Sequence, residues 1–335
     1  MINTVSIDKL KQNWERLYGE NKALFPYSSY EYNYIISKYK YYKLDALKED
    51  SNFYVYKDSS NKIKVIFPLT IKGDIIILFG DNVSGAGHLD VIYGNDTNYN
   101  DFAGAFKELR ERFEGKKLEI HKLNESSNFL EFLKGTDLFD DINISVEREC
   151  VKIVFADDYD EYYKTLSKSV RQNIRTSYNK MNKNNIVFEL KVFSGQLDDK
   201  RVLGDIMRIY TKREFERKDK AVNKFKAIKN RYFNPLVWAM KTMQSQYTFV
   251  LYIENKATAF MTGFKSNSNS IVFPMLAIDS DYSKYMPGKL MINKAIKYLI
   301  NNSSIRVLDL SRGTEKYKLD MGGIIHKNYC VDISL

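Results

Sequence analysis

The sequence predicts an α+β fold with layered α/β character, in which two lobes of related architecture each contain a mixed, twisted sheet flanked by helices. The chain has 335 residues, a length typical of two domains. Hydrophobic residues make up 44% and charged residues 28%, which favours packed cores over a disordered chain. A β-meander followed by a helix and a further strand occurs twice, which indicates a duplication of architecture.

The first copy of this pattern lies in the N-terminal half. Runs of β-branched and aromatic residues predict strands over 53–56, 63–69 and 74–79, with polar or glycine-containing turns between them. An amphipathic helix over 102–113 and a strand over 118–123 complete the pattern.

The second copy has the same order of elements. Strands over 247–253, 257–264 and 270–278 are followed by a proline-initiated helix over 288–301 and a strand over 305–310. A short strand over 151–155 and a basic helix precede this copy. We therefore divide the chain into an N-terminal lobe, residues 1–145, and a C-terminal lobe, residues 146–335.

The cysteines predict a reducing compartment, and the apolar runs predict no membrane span. The two cysteines lack CxxC spacing, which excludes a disulfide scaffold. No apolar run approaches the roughly 20 residues of a membrane span. The polar segment 1–20 has the pattern of an amphipathic helix and not of a secretory leader. We expect a cytoplasmic protein, with a peripheral position at the inner membrane face as a variant of this prediction.

The net charge of +10 is concentrated in the stretches 164–183 and 200–231. In the first stretch, basic residues recur every three or four positions along one helical face, at Lys164, Lys168, Arg171 and Arg175. Such a face suits a polyanion or a phosphate-bearing ligand, but a solvated surface and lysine-rich codon usage explain it equally well. No zinc-finger, RNP or GXXG motif of a nucleic-acid module is present.

The most informative segment runs from the strand at 270–278 into the helix that begins with Pro287-Gly288-Lys289. The first turn of a helix offers free backbone N–H groups and the positive end of the dipole. Pro287 fixes the entry without losing a useful donor, Gly288 permits close approach, and Lys289 adds a cation. Together they suit a pyrophosphate, although Pro-Gly can also simply start a helix.

This order of elements resembles the GNAT acyltransferase fold, and residues 150–322 resemble the FemAB-like branch with its CelD/BcsL-type exopolysaccharide acetyltransferases. The resemblance is carried by LSKSVRQNIRTSYNK at 166–180, YMPGKLMINKAIKYLI at 285–300 and LDLSRGTEKYKLDMGG at 308–323. The segments YSSYEYNYIISKY and FPLTIKGDIIILFGDNVSGAGHLDVIY extend it into the N-terminal half as a degenerate GNAT-like repeat. Met286 departs from the serine that the family has before Pro-Gly.

The resemblance implies that acetyl-CoA or another acyl-CoA lies between the strands 270–278 and 305–310, as donor substrate. Backbone groups of the first strand would pair with the pantetheine arm, and the helix start would hold the pyrophosphate. The donor-binding residues implied are Leu276, Ala277, Ile278, Met286, Pro287, Gly288, Lys289 and Leu290. No metal is predicted, because His121 and His326 have no ligand partner at i+2 or i+4.

Acyl transfer to an amine needs a base, an oxyanion donor and an acid for the leaving thiolate. Asp309 lies at a strand end and is the predicted base or acceptor-orienting group, with Glu315 as runner-up. The resemblance implies Tyr317 as the general acid and Lys318 as a cation near the acyl centre. The alternatives are a capping or salt-bridging role for Asp309 and an ordinary surface position for Lys318.

Acceptor-binding candidates come from both halves of the chain. Arg171, Arg175 and Arg213 have the planar forks that bind phosphate or carboxylate, and a solvated helix face is the competing interpretation. His88 and Asp90 occupy a glycine-rich segment where the family has a small-residue and aspartate signature, although an ordinary turn is equally consistent with the sequence.

The sequence therefore predicts an acyl-CoA-dependent N-acyltransferase, in the first instance an acetyltransferase. Its acceptor would be an amino sugar or related amine of cell-surface polysaccharide or nucleotide-sugar synthesis. A Fem-type transferase that uses aminoacyl-tRNA to extend a peptidoglycan precursor is the alternative. A second alternative is a non-catalytic module that binds tRNA or another polyanion.

Overall fold

The computed structural model describes residues 3–38, 50–83, 85–216 and 235–335. Residues 217–231, which belong to the second basic stretch, lie outside the described residues. The chain forms two compact units. Unit 1 comprises Met1–Glu149, Ser266–Ser268 and His326–Leu335, and unit 2 comprises Cys150–Lys265 and Asn269–Ile325.

The described strands and helices follow in chain order. The strands are β1 (Asn3–Val5), β2 (Asp50–Lys57), β3 (Ile63–Lys72), β4 (Ile75–Leu78), β5 (Ile92–Tyr93), β6 (Lys117–Asn124), β7 (Ile142–Val154), β8 (Phe188–Ser194), β9 (Gln246–Ile253), β10 (Lys256–Lys265), β11 (Ser270–Ile278), β12 (Val307–Arg312) and β13 (Gly323–Ser334). The helices are α1 (Ile7–Glu20), α2 (Tyr30–Lys38), α3 (Tyr99–Arg112), α4 (Asn128–Gly135), α5 (Tyr159–Thr165), α6 (Lys168–Lys183), α7 (Lys200–Glu216), α8 (Pro235–Thr242), α9 (Pro287–Asn302) and α10 (Lys316–Asp320). Short 3₁₀ helices occupy Pro26–Ser28 and Ser280–Tyr285.

The sheet of unit 1 has the order β1-β2-β3-β4-β6-β13, with β5 paired to β3. The meander strands are antiparallel, β4 and β6 are parallel, and β13 returns antiparallel to β6. An aromatic cluster from α3 and α4 packs on this sheet, with Phe102, Phe106 and Phe129 buried and in ring contact. Burial of these large rings stabilises this part of unit 1.

The sheet of unit 2 repeats this plan in the order β8-β9-β10-β11-β12-β7. Strands β8 to β11 are antiparallel, β11 and β12 are parallel, and residues 150–154 of β7 run antiparallel to β12. Helix α9 buries Leu290, Met291, Ala295, Ile296 and Leu299 in the core of this unit. The predicted fold class, a tandem arrangement of mixed sheets flanked by helices, is confirmed.

Two differences from the sequence predictions have simple causes. Residues 326–335 belong to unit 1 because the end of β13 pairs with β6, and unit 2 begins at Cys150. Helix α6 begins at Lys168, where the Ser167 hydroxyl accepts a hydrogen bond from the Val170 amide. The predicted basic face is therefore divided, because Lys164 lies on α5 and the other three basic residues lie on α6.

No helix among the described residues has both the length and the apolar character needed to cross a bilayer.

Candidate active site

In unit 2, strands β11 and β12 pair over only three residues and then separate. Ser270, Ile271 and Val272 are in parallel register with Val307, Leu308 and Asp309, and no pairing follows. β11 nevertheless continues to Ile278, still paired with β10 on its other side. Within the part of the chain that the structure describes, one edge of β11 therefore has no strand partner over its last six residues, 273–278.

The register with β10 determines which backbone groups face this open edge. The Asp279 amide donates to the Thr258 carbonyl at 2.7 Å, and hydrogen-bonded pairs alternate along an antiparallel ladder. Ala277 therefore pairs with Phe260 of β10, whereas the N–H and C=O groups of Leu276 and Ile278 face away from β10. Of the three predicted donor-binding residues on β11, two present their backbone at the open edge and Ala277 does not.

Arg213 of α7 lies at this open edge. Its guanidinium donates to the Leu276 carbonyl at 2.6 Å. The positive charge of Arg213 also acts on Glu315 and on Tyr317. The structure thus brings Leu276, Arg213 and the residues that follow β12 together.

An ion-pair cluster fixes α7 to the end of β11. The Asp279 carboxylate is buried and accepts hydrogen bonds from Arg208 at 2.8 Å and from Lys212 at 2.5 Å. Burial acts to raise the pKa of Asp279, but hydrogen bonds from Lys212 and Arg208 hold it below its usual value. Sequence reasoning missed Asp279, although an acidic residue directly after a buried strand and a basic helix elsewhere were both visible.

The next element after β11 and its 3₁₀ turn is α9, whose first turn is open. Met286 is the N-cap residue in a left-handed conformation, with φ 49° and ψ 52°, and its side chain makes no capping hydrogen bond. Pro287 has no N–H, and the Leu290 amide bonds to the Met286 carbonyl. The amides of Gly288 and Lys289 are therefore the two first-turn donors that the helix itself does not use.

Gly288 brings this turn against the end of β11. A Cβ atom at Gly288 would lie 3.3 Å from Cγ2 of Ile278, which leaves little room for a side chain. The open edge of β11 and the open start of α9 are thus adjacent. The Lys289 ammonium pairs with Asp320 at 2.7 Å, so its charge is partly neutralised, and the Leu290 side chain is buried in the core.

Two further ammonium groups lie near this turn. Lys180 of α6 and Lys284 of the 3₁₀ turn lie 5.7 and 5.0 Å from the ring centroid of Tyr285, the residue before the N-cap. Both lysine side chains are exposed, and the start of α9 carries no acidic residue. The electrostatic environment of the open turn therefore favours an anion.

Asp309 is buried at the point where β12 leaves β11. Its Oδ1 accepts a hydrogen bond from the Ser311 amide at 2.7 Å. The carboxylate therefore supports the backbone of its own strand, as the capping interpretation predicted. This contact occupies Oδ1 of the carboxylate.

Lys318 is buried on α10 and holds the loop that follows β12. Its ammonium donates to the carbonyls of Arg312 at 2.6 Å and Gly313 at 3.0 Å, and pairs with Glu315 at 2.9 Å. The same ammonium also lies 3.5 Å from the Ser311 carbonyl, so these four oxygens share its three donors. Lys318 is therefore neither a surface lysine nor an unengaged cation.

Tyr317, next to Lys318, is largely covered. Burial raises the pKa of its phenol well above the usual value, the Glu315 charge raises it further, and Arg213 opposes the rise. No described residue forms a hydrogen bond with the Tyr317 hydroxyl. Burial also acts to raise the pKa of Glu315, but Lys318 and then Arg213 keep it below its usual value.

Arg171 and Arg175 lie on α6. Arg171 donates to the Lys164 carbonyl at 3.2 Å, and Arg175 is exposed on the same helix. Among the described residues, no recorded contact joins either arginine to Asp309, Tyr317 or Arg213.

His88 and Asp90 lie in unit 1, both buried. His88 stacks on Phe25 with ring centroids 4.1 Å apart, and its Nδ1 lies 3.0 Å from Oδ1 of Asn328. Burial raises the pKa of Asp90 to about 7, opposed by hydrogen bonds from Ser127, Val91 and Tyr93. The segment is therefore more than an ordinary turn, because it holds the buried polar side chains of His88 and Asp90.

Comparison with known proteins identifies the class of this site. Residues 168–319 match a family model described as an acetyltransferase (GNAT) domain. No curated protein matches the chain significantly in sequence. The chain thus contains a GNAT acetyltransferase domain, which supports an N-acyltransferase, and the open strand pair and the open helix start both lie within the matched segment.

Solved structures show the same fold over nearly the whole chain. FemX is 7% identical with a TM-score of 0.59, and the match covers 98% of this chain and 96% of FemX. A tandem GNAT protein from the clavulanic acid biosynthesis pathway is 7% identical, with a TM-score of 0.52 and coverage of 100% and 98%. L-PGS from Bacillus licheniformis is 10% identical, with a TM-score of 0.51 and coverage of 85% and 84%. At these identities the likeness concerns the fold alone, so the predicted exopolysaccharide branch stays a prediction.

Proposed function

We propose that unit 2 binds acetyl-CoA or a closely related acyl-CoA along the open edge of β11 and transfers the acyl group to an amine. The observation that carries this proposal is the separation of β11 from β12 next to the open start of α9. An extended amide-bearing chain can pair with an unpartnered strand edge, and a helix start suits phosphates. A GNAT domain implies acyl-CoA use in general.

The residues divide into a donor-binding set and a reacting set. The Leu276 amide and the backbone of Ile278 are offered to the pantetheine arm, because the Leu276 carbonyl already accepts from Arg213. The helix start is formed by Met286, Pro287, Gly288, Lys289 and Leu290. The amides of Gly288 and Lys289 take the pyrophosphate, and Lys180 and Lys284 add positive charge beside it. Ala277 and Leu290 support this arrangement through the sheet and the core.

The reaction joins the amine nitrogen to the thioester carbon and breaks the carbon–sulfur bond. The amine loses one proton and the thiolate gains one. Asp309 is the proposed base or acceptor-orienting group, and Tyr317 is the proposed acid, which its raised pKa keeps protonated at neutral pH. Lys318 holds the loop and, through it, the position of Tyr317, which makes it a positioning residue in this proposal.

The acceptor we propose is an amino sugar or a nucleotide-linked amino sugar in cell-surface polysaccharide synthesis. Arg213 is the best placed of the predicted arginines, since it already lies at the open edge. Arg171, Arg175, His88 and Asp90 remain proposals for the acceptor. A cytoplasmic location is part of the proposal.

Calorimetric titration with acetyl-CoA, and separately with bulk tRNA at several salt concentrations, tests this assignment. We expect acetyl-CoA to bind with a mild salt dependence. Binding of tRNA alone, with a log–log salt slope of several units, would instead support the Fem-type transferase or the polyanion-binding module, which the basic face of α6 favours. Thiol release from acetyl-CoA with a panel of amino sugars then tests the acceptor class.

A further inference from the structure

Ser311 on β12 combines three features that no role assigned above explains. Its backbone has a positive φ of 56°, a conformation that costs a non-glycine residue free energy. The residue is 6% exposed, and its hydroxyl oxygen has no hydrogen-bond partner among the described residues. A buried hydroxyl without a partner is also unfavourable, so the fold bears two costs at one residue.

A β-bulge places these costs at the point where β12 leaves β11. Asp309 is opposite Lys152 of β7, but Arg312 is opposite Cys150, so β12 contains one extra residue in this interval. A bulge changes the direction of a side chain and is common next to active sites. Pairing with β11 ends at Asp309, so Ser311 lies two residues into the separated segment.

The surroundings hold Ser311 in this conformation from both sides. The Asp309 carboxylate accepts from the Ser311 amide, and the Lys318 ammonium lies 3.5 Å from the Ser311 carbonyl. The backbone groups are thus engaged and only the hydroxyl is not. Strain that the neighbourhood enforces in this way is typical of functional positions.

We infer that the Ser311 hydroxyl donates a hydrogen bond to the carbonyl oxygen of the acyl thioester. This inference rests on the proposed function, in which the donor lies along the separated strands. Attack of the amine converts that oxygen into an oxyanion, to which the same donor binds more strongly without transferring its proton. Ser311 would therefore stabilise the tetrahedral intermediate more than the bound donor.

Acetyl-CoA labelled with ¹³C at the acetyl carbonyl tests this hydrogen bond without any acceptor. In the wild-type protein we expect the carbonyl resonance to move downfield on binding. Ser311→Ala and Ser311→Gly should both abolish this movement, with the Kd for acetyl-CoA changed less than about threefold. With an amine acceptor, both variants should lose about 100-fold in kcat, the effect of removing one oxyanion donor.

Stability separates a functional role from a structural one. Ser311→Gly removes the side chain from a positive-φ position, and we expect Tm to rise by about 2 °C while turnover falls. Asn255→Gly is the matched control, because Asn255 also has a positive φ, of 59°, but lies in the exposed turn between β9 and β10. It should leave the carbonyl resonance and turnover unchanged.

The outcomes are distinct. If wild-type protein binds acetyl-CoA and the Ser311 variants keep the downfield resonance and the turnover, the role of Ser311 is refuted while the proposed function stands. If wild-type protein does not bind acetyl-CoA, the proposed function fails, and the inference fails with it.

Discussion

The two units contain the same strand–helix–strand segment, and they differ where that segment could hold a ligand. In unit 1, β4 has four residues, and three of them pair with β6. In unit 2, β11 has nine residues, and only the first three pair with β12. The corresponding parallel pair is thus closed in unit 1 and open in unit 2.

The helices that follow differ in the same sense. Helix α3 starts with a capping box, in which Asn98 accepts from the Asp101 amide and the Asp101 carboxylate accepts from the Asn98 amide. Helix α9 starts at Met286 with no side-chain cap. Unit 1 therefore satisfies its own helix donors and adds a negative charge, whereas unit 2 leaves two donors open among basic residues. Duplicated architecture has thus kept one helix start available for an anion.

The largest expected effect comes from adding a negative charge at the second position of α9, whose start is open. Gly288→Glu should weaken acetyl-CoA binding more than 100-fold, because the carboxylate would compete for the open amides and repel the phosphates. Calorimetric titration measures the change.

Asn100→Glu is the matched control in α3, since Asn100 is the exposed second residue of a helix that is already capped. It should leave acetyl-CoA binding unchanged. Equal losses in both variants would show that the difference between the two helix starts is unrelated to donor binding. Thermal unfolding of both variants must show folded protein.

Removal of the Tyr317 hydroxyl should have the next largest effect. Tyr317→Phe should lower kcat about 100-fold with little change in the Kd for acetyl-CoA, because the acid acts only on the leaving thiolate. Since burial raises the pKa of this phenol, wild-type activity should show no loss attributable to Tyr317 up to pH 10. A basic limb below pH 9 that disappears in Tyr317→Phe would contradict the raised pKa.

The sequence predicted the parts of this comparison that depend on periodicity and on proline and glycine. Both meanders and the helix that begins at Pro287 have bounds within a few residues of those expected, since alternating apolar residues determine which face is buried. The start of α9 in unit 2 could be predicted because proline is favoured at the first position of a helix.

The remainder depends on register and on long-range contacts. The point at which β11 and β12 separate depends on how the two strands pair. The bulge at Ser311 likewise depends on the register with β7, and no residue next to Ser311 in the sequence indicates it. The partners of Lys318 are backbone carbonyls, which a sequence does not display. The contact between Arg213 and Leu276 joins a helix and a strand 63 residues apart, so only the folded chain reveals it.

Substitution of Asp279 should have a smaller effect, on stability, and it tests how the end of β11 is held against α7. Asp279→Asn should lower the free energy of unfolding by about 2 kcal/mol, because two charged hydrogen bonds to a buried carboxylate are weakened. The folded pKa of Asp279 is depressed, so this stabilisation is present above the unfolded pKa and is lost as the pH falls through the folded pKa.

Denaturation at pH 7 and at pH 3 measures this dependence. The difference in the free energy of unfolding between wild type and Asp279→Asn should be largest at pH 7 and smaller at pH 3. Asp281→Asn is a suitable comparison, because Asp281 is an exposed partner of the same Lys212. A difference that does not become smaller in acid would assign the loss to packing and not to the ion pairs.

Substitutions of the two N-cap residues, Asn98 and Met286, should have the smallest effects. Their effects on stability should be of opposite sign. Asn98→Ala should cost about 1 kcal/mol of stability, because α3 loses its capping box, and Met286→Gly should gain about 0.5–1 kcal/mol, because glycine adopts φ 49° without strain. Neither change touches the amides of Gly288 and Lys289, so acetyl-CoA should bind both variants as it binds wild type. Chemical denaturation and calorimetric titration provide the two readouts. If Met286→Gly weakened binding tenfold, the methionine side chain itself would be a donor contact, and the open helix start could no longer be attributed to the backbone alone.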